Sequence, residues 1–129
     1  MSSILKALGI GEVLRGIVAG TYDATETGTG VDVSGWDGTA IAVLDSSAGG
    51  DTDHTLDVKL QTCATVDGTY ADITGATFTQ VDDTEGGATE VISFDVSAAK
   101  AFVRAVGTIA GTSPEFTFSV TLFGIPKVA

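Results

Sequence analysis

His54 and Cys63 are the only residues of their kinds in the chain, so acid–base or nucleophilic chemistry would have to be built on one of them. A Ser–His–Asp or Cys–His–Asp arrangement needs an imidazole, steered by a carboxylate, beside a hydroxyl or thiol. His54 follows Asp51 and Asp53 in an acidic stretch just ahead of a strand pattern, a setting that predicts a solvated imidazole. Cys63 has no second cysteine to pair with, which excludes an internal disulfide and predicts a small, buried or half-buried apolar group. A zinc site would need further His or Cys ligands that the sequence lacks. Gly28-Thr29-Gly30 is followed neither by the third glycine of a dinucleotide loop nor by a Lys-Ser/Thr pair, so no phosphate cradle is expected. The residues predict no enzyme and no cofactor.

Two other chemistries are weighed from residue type. Asp51 with Asp53, and Asp82 with Asp83 and Glu85, gather hard oxygen donors on two loops, as Ca²⁺ would require. Neither cluster has the spacing of an EF-hand, and loop carboxylates are ordinarily just solvated. Trp36, Tyr22 and Tyr70 lie on or beside turns and could stack on sugar rings, the basis of an alternative reading as a glycan-binding adhesion module. Trp36, just before Asp37-Gly38, serves equally well as a plug at the edge of the core. Arg104 lies among Phe102, Val103 and Val106; it fits either a snorkelling cation paired nearby or a contact across a subunit boundary.

These residues must be positioned by a chain of 129 residues, one domain by length and large enough to bury a core without disulfides or metal. Its formal net charge is −11, which opposes binding to nucleic acid phosphates, since that affinity comes from Lys and Arg displacing counterions. The same charge favours solubility at high local copy number. No apolar run approaches the roughly 18 residues of a membrane span. The absence of Asn removes any glycosylation sequon.

Residues 1–20 differ in character from 21–129. They hold Lys6, Arg15 and Glu12 for a net charge of +1, leaving −12 for the remainder. Ile10, Val13, Leu14, Ile17 and Val18 follow the spacing of one helix face, with Ile4, Leu5 and Leu8 ahead of them. Gly9, Gly11, Gly16 and Gly20 interrupt that pattern, each costing about 1 kcal/mol relative to Ala within a helix. A signal peptide is opposed by Glu12 and Arg15, which break its apolar middle. Two readings stay open: a terminal segment packed on its own domain, or an apolar arm that docks on a neighbouring subunit. On the second, Ile4, Leu5, Leu8, Ile10, Val13, Leu14, Arg15, Ile17 and Val18 are interface candidates, together with Arg104.

From residue 30 onward the pattern is strand and turn. Thr39 to Leu44, Leu56 to Gln61, Ile92 to Val96 and Phe116 to Leu122 alternate with period two and predict strands with one buried face. Shorter candidates are Tyr70 to Ile73, Ala76 to Val81 and Phe102 to Val106. Asp37-Gly38 and Asp67-Gly68 predict tight turns with positive φ. Longer loops are expected over 45–53, 82–89 and 108–114. The fold expected is all-β, an antiparallel β-sandwich or jelly roll of about seven or eight strands over 21–129, with an apolar N-terminal arm over 1–20.

Gly30-Val-Asp-Val33, Leu56-Asp-Val-Lys-Leu-Gln61, Asp67-Gly-Thr-Tyr-Ala-Asp-Ile-Thr-Gly75 and Phe102-Val-Arg-Ala-Val-Gly-Thr108, followed by Gly111-Thr-Ser-Pro114 and a Phe-rich last strand, form an ordered set. Over roughly three-quarters of the chain it resembles a group of short β-sandwich structural proteins of tailed bacteriophages. The resemblance implies a virion role, with a capsid decoration (cement) protein foremost and a tail or head-completion component as the alternative. It implies the major capsid protein and sister copies as partners, a trimer ahead of a dimer, and a place on the capsid exterior after synthesis in the host cytoplasm. It carries over no catalytic residue.

Overall fold

Alternation of small and branched residues makes Ala40, Ala42 and Leu44 an inward row while Ile41, Val43 and Asp45 face out. The same rule places Leu56, Val58 and Leu60 inside opposite Phe116, Phe118, Val120 and Leu122, all close to fully buried. The computed structural model describes residues 11–83 and 87–127. Within them the chain forms β1 (Glu12–Tyr22), β2 (Glu26–Thr27), β3 (Val31–Asp32), β4 (Trp36–Ser46), β5 (Thr55–Cys63), β6 (Ala71–Thr77), β7 (Ala88–Asp95), β8 (Phe102–Ala110) and β9 (Phe116–Pro126). One short 3₁₀ turn, Val96–Ala98, follows β7 and is capped by the Asp95 carboxylate.

The strands make two antiparallel sheets, in the order β1-β9-β4-β7 for the first and β2-β8-β5-β6 for the second, where β3 also pairs with β8. The pairs β1·β9, β2 and β3·β8, β4·β7 and β5·β6 are nested in sequence and alternate between sheets. They describe one long two-stranded ribbon rolled up on itself, which is the jelly-roll solution to packing a double sheet. The all-β expectation holds, and β2 with β3 act as one broken edge strand.

The segment 1–20 is where sequence and structure part. Glu12–Tyr22 is a strand, not one face of a helix, and it runs through the boundary drawn at residue 20 into the sandwich. Its register against β9 shifts between Arg15 and Ile17 and again between Ile17 and Gly20. Those irregularities turn both Leu14 and Ile17 toward the core, three residues apart, so a bulged strand imitates helical spacing. Residues 1–10, with the interface candidates Ile4, Leu5, Leu8 and Ile10, lie outside the described residues.

Glycine does specific work at close approaches. A Cβ on Gly28 would fall on the Gly16 carbonyl, where the start of the second sheet crosses β1; one on Gly124 would enter the Trp36 ring. Asp37-Gly38 is no hairpin turn: Gly38 has φ of 72° at an irregularity within β4, where pairing with β9 lapses between Asp37 and Ile41. Gly68 lacks the positive φ expected of it, and is needed because a side chain there would meet Cys63 Sγ and Thr65 Oγ1. Strand ends also trim the predicted loops, since β8 reaches Ala110 and β7 begins at Ala88.

Gly28→Ala should destabilise the fold by about 1–3 kcal/mol because backbone must move to admit one methyl group. Gly35, with nothing near its Cβ position, provides the control, and Gly35→Ala should stay within about 0.5 kcal/mol. Urea unfolding of both variants checks the difference.

Candidate functional site

The residues with reactive side chains are far apart and already engaged. His54 and Cys63 lie at opposite ends of β5, about 30 Å apart along an extended strand. His54 is buried rather than solvated, at 7% exposure. Its Nδ1 accepts from the Gly50 amide at 3.1 Å, and its Nε2 lies 2.9 Å from the Thr112 carbonyl. The neutral tautomer with hydrogen on Nε2 satisfies both bonds, so the ring ties two loops together and has no nitrogen left to serve as a base. Asp53 supports the tie: its Oδ2 accepts from the Thr112 amide at 2.9 Å, and its Oδ1 is 3.7 Å from His54 Nε2. Hydrogen bonding from Thr112 holds the Asp53 carboxyl below the usual range. Cys63 is buried beside Thr65, whose backbone amide draws the thiol below its ordinary value.

Of the carboxylates considered for calcium, Asp51 and Asp53 are hydrogen-bonded to backbone. Asp51 Oδ1 accepts from the Thr52 amide at 2.8 Å, and Asp53 is committed to Thr112. The Gly49 amide donates to the Asp82 carbonyl at 3.0 Å and so joins the two acidic loops, but no group of three or more His, Cys, Asp or Glu converges among the described residues. Asp83 is half-buried, and Glu85 lies outside the described residues.

The aromatic platform is not assembled. Trp36 is 2% exposed, with its indole N–H donating to Glu12 Oε1 at 3.1 Å, so it plugs the core as the plainer reading had it. Tyr22 packs edge-on against Phe118, with centroids 5.3 Å apart, and its hydroxyl donates to the Val18 carbonyl. Tyr70 is covered by the Arg104 guanidinium, 4.1 Å from the ring centroid. Arg104 Nε also donates to Gln61 Oε1 at 2.9 Å. Gln61 and Lys59 both reach Asp72, at 2.9 and 3.0 Å, and these contacts lower the Asp72 carboxyl, Gln61 foremost. The outer face of the five-stranded sheet is therefore a self-satisfied polar network.

The outer face of the four-stranded sheet is the opposite. Registered rows run Val13–Phe123–Ile41 and Arg15–Thr121–Val43–Val91 across β1, β9, β4 and β7. Val91 is 58% exposed, Ile125 50%, Val13 40% and Ile41 37%. Between β1, β9 and β4 lies a hollow of about 480 Å³ lined by Gly11, Glu12, Val13, Thr39, Ile41, Phe123, Gly124 and Ile125. Of the predicted interface residues, Val13, Arg15 and Val18 are exposed, while Leu14 packs on the core and Ile17 belongs to it. Ile41, Val43, Val91, Phe123 and Ile125 join them on this face without a period-two signal of their own pointing outward. What marks them in the sequence is the polar face of Thr117, Ser119 and Thr121, which turns apolar at Phe123 and Ile125.

No protein-family model matches the chain, and no curated protein sequence does. Among solved structures, one similar chain comes from the structure of infectious bursal disease virus Gx strain, at 10% identity and a TM-score of 0.48. The likeness covers 88% of this chain and 30% of that one, so the protein spans under a third of that neighbour's length. A second similar chain is from Bacillus endospore appendages, described as a family of disulfide-linked pili, at 13% identity and a TM-score of 0.43, covering 92% and 91% of the two chains. Eiger TNF from S. frugiperda is a third, at 10% identity and 0.44, covering 92% and 88%. At these identities the likeness is one of β-sandwich fold alone.

Because the folded Asp53 carboxyl titrates below an unfolded one, its contribution to stability is present above about pH 3.9 and is lost as pH falls through the lower folded value. Asp53→Ala should therefore melt below wild type at pH 7, with the gap closing under pH 3.9. Thermal melts of both proteins across that range test it; a gap of constant size would refute the assignment.

Proposed function

We propose that this protein is a non-enzymatic structural component of a tailed-phage virion, a decoration protein on the head exterior that reinforces the shell by binding the major capsid protein and sister copies. The observation that carries the reading is the apolar outer face of the four-stranded sheet. Four strands about 4.8 Å apart, each about 30 Å long, offer a footprint of roughly 600 Å². That is close to the about 800 Å² per partner of a standard protein interface. Exposed Val13, Ile41, Val91 and Ile125 on one sheet of a chain of net charge −11 favour a contact surface.

The phage-like motifs lend independent support, since they map to β3, β5, the turn into β6, β8 and β9, the frame that holds this face in place. The engaged state of His54, the burial of Cys63 and the dispersed aromatics favour contact over turnover or sugar binding. Many weak contacts repeated over a lattice would give high avidity without any single tight site.

Quantifying the protein in purified particles tests the reading. Copies on the order of hundreds support shell decoration, whereas on the order of ten would place it at a portal or tail, and none would overturn a virion role. Ile41→Asp should lower particle occupancy at least about tenfold, since a carboxylate buried against the shell lacks a partner. Unchanged occupancy would remove this face from the contact.

A further inference from the structure

Among the described residues the two sheets have four edges, and three are blunted. β1 shifts register twice along β9, and its middle is covered where Gly16 meets Gly28. β2 and β3 are two residues long each. β6 loses register against β5, after which residues 78–81 return to pair with β5 through the Phe78 amide and Val81. Irregularity, brevity and cover are the devices that keep sheet edges from adding strands. β7 has none of them. It pairs with β4 over eight consecutive residues, from Thr39↔Asp95 to Ser46↔Ala88, without a shift, and contains no Pro, Lys or Arg. Glu90, its one mid-strand charge, is drawn toward the other sheet, where both carboxylate oxygens accept from Thr79.

We propose that β7 pairs antiparallel with β7 of a second copy across a two-fold axis at Val91. Directly opposed residues in such a pair share a face, so the axis can pass only through a residue. An axis at Glu90 would oppose two carboxylates, and one at Ile92 would set Val91 against Ser93. An axis at Val91 brings together the two most exposed apolar side chains and sets Glu90 against Ile92 and Thr89 against Ser93, so no like charges meet. The row through Val43 and Val91 then continues unbroken into the second copy, and two four-stranded sheets become one of eight. A ring built by strand addition needs two different open edges; with one, self-pairing is isologous and gives a dimer rather than the trimer implied by the phage resemblance. The pair stands on the edge geometry alone, and rests on the decoration reading only for its use, the doubling of the apolar face offered to a shell.

Cysteine crosslinking tests the register. In a Cys63→Ala background, Val91→Cys should give a disulfide-linked dimer on mild oxidation. Ser93→Cys should not, since the two sulfur-bearing residues would stand about 13 Å apart, beyond the roughly 7 Å limit for bridging. By light scattering the wild-type protein should be a dimer that tightens as salt rises from about 50 to about 500 mM, because the like charges of the two copies are then screened. Val91→Lys should be folded but monomeric, with a melting midpoint that no longer rises with protein concentration as the wild type's does; if it fails to fold, the crosslinking pair decides. A monomeric wild type, equal crosslinking at both positions, or a folded Val91→Lys that still dimerises would each overturn the pairing. A dimer absent from particles would sink the decoration reading alone. A protein present on particles but not crosslinked through Val91→Cys would sink the pairing alone.

Discussion

The approach of two backbones at Gly16 and Gly28 decides how the sandwich closes. There the chain leaving β1 crosses to the second sheet within van der Waals reach of the strand it has just made, and even one methyl group is too many. This contact seals one side of the sandwich, bends β1 through its register shifts, and fixes Leu14 and Ile17 against the core. Among the described residues the opposite side has no such seal. It is bounded by β6 with the 78–81 return on one sheet and by β7 on the other, bridged through Glu90 and Thr79. An asymmetric closure of this kind leaves one regular edge open, and the rest of the surface is organised around it.

The two outer faces divide the chemistry. Lys59, Gln61, Asp72, Arg104 and Tyr70 satisfy one another across the five-stranded sheet, and exposed networks of that sort contribute little to stability or to binding a partner. The outer face of the four-stranded sheet carries only Arg15 as a cation and has Asp37, Asp45 and Asp95 near its strand ends, while the mid-strand Glu90 of β7 turns toward the other sheet. Asp45 is tied there to the Thr89 hydroxyl, and Asp95 to Ser97. An apolar centre with acidic margins is complementary to an apolar surface with a basic rim, and a buried margin carboxylate without such a rim would be costly.

Much of this was legible in the sequence. The four period-two runs fall in β4, β5, β7 and β9 because each sets a row of Ala, Leu, Ile, Val or Phe on one face, though Val96 lies past the end of β7 in the 3₁₀ turn. What misled was spacing that had two physical origins. In β1 a bulge puts inward side chains three residues apart, and no local pattern distinguishes that from a helix turn; only pairing with β9 does. Asp37-Gly38 and Asp67-Gly68 look alike as dipeptides, yet one glycine answers a positive φ inside a strand and the other a crowded thiol. The acidic neighbours of His54 suggest a solvated ring, whereas Asp53 reaches away to Thr112, 59 residues on, and the imidazole fills the space between two loops. The outer apolar rows escaped notice because Val43, Val91 and Phe123 come together only through register between strands distant in sequence.

The acidic charge and the apolar face work at different ranges. Repulsion between copies of net charge −11 acts over roughly the Debye length, about 8 Å at physiological salt, and keeps random encounters apart. Apolar contact acts only once surfaces touch and water has left. A surface built this way resists aggregation through Val13 or Ile125 in free solution, yet yields to a partner whose shape excludes water over the whole face. Selectivity then comes from area and shape, with charge as the barrier that poor fits fail to cross. Such a barrier is most useful where many copies must coexist at high local density and bind only one kind of surface.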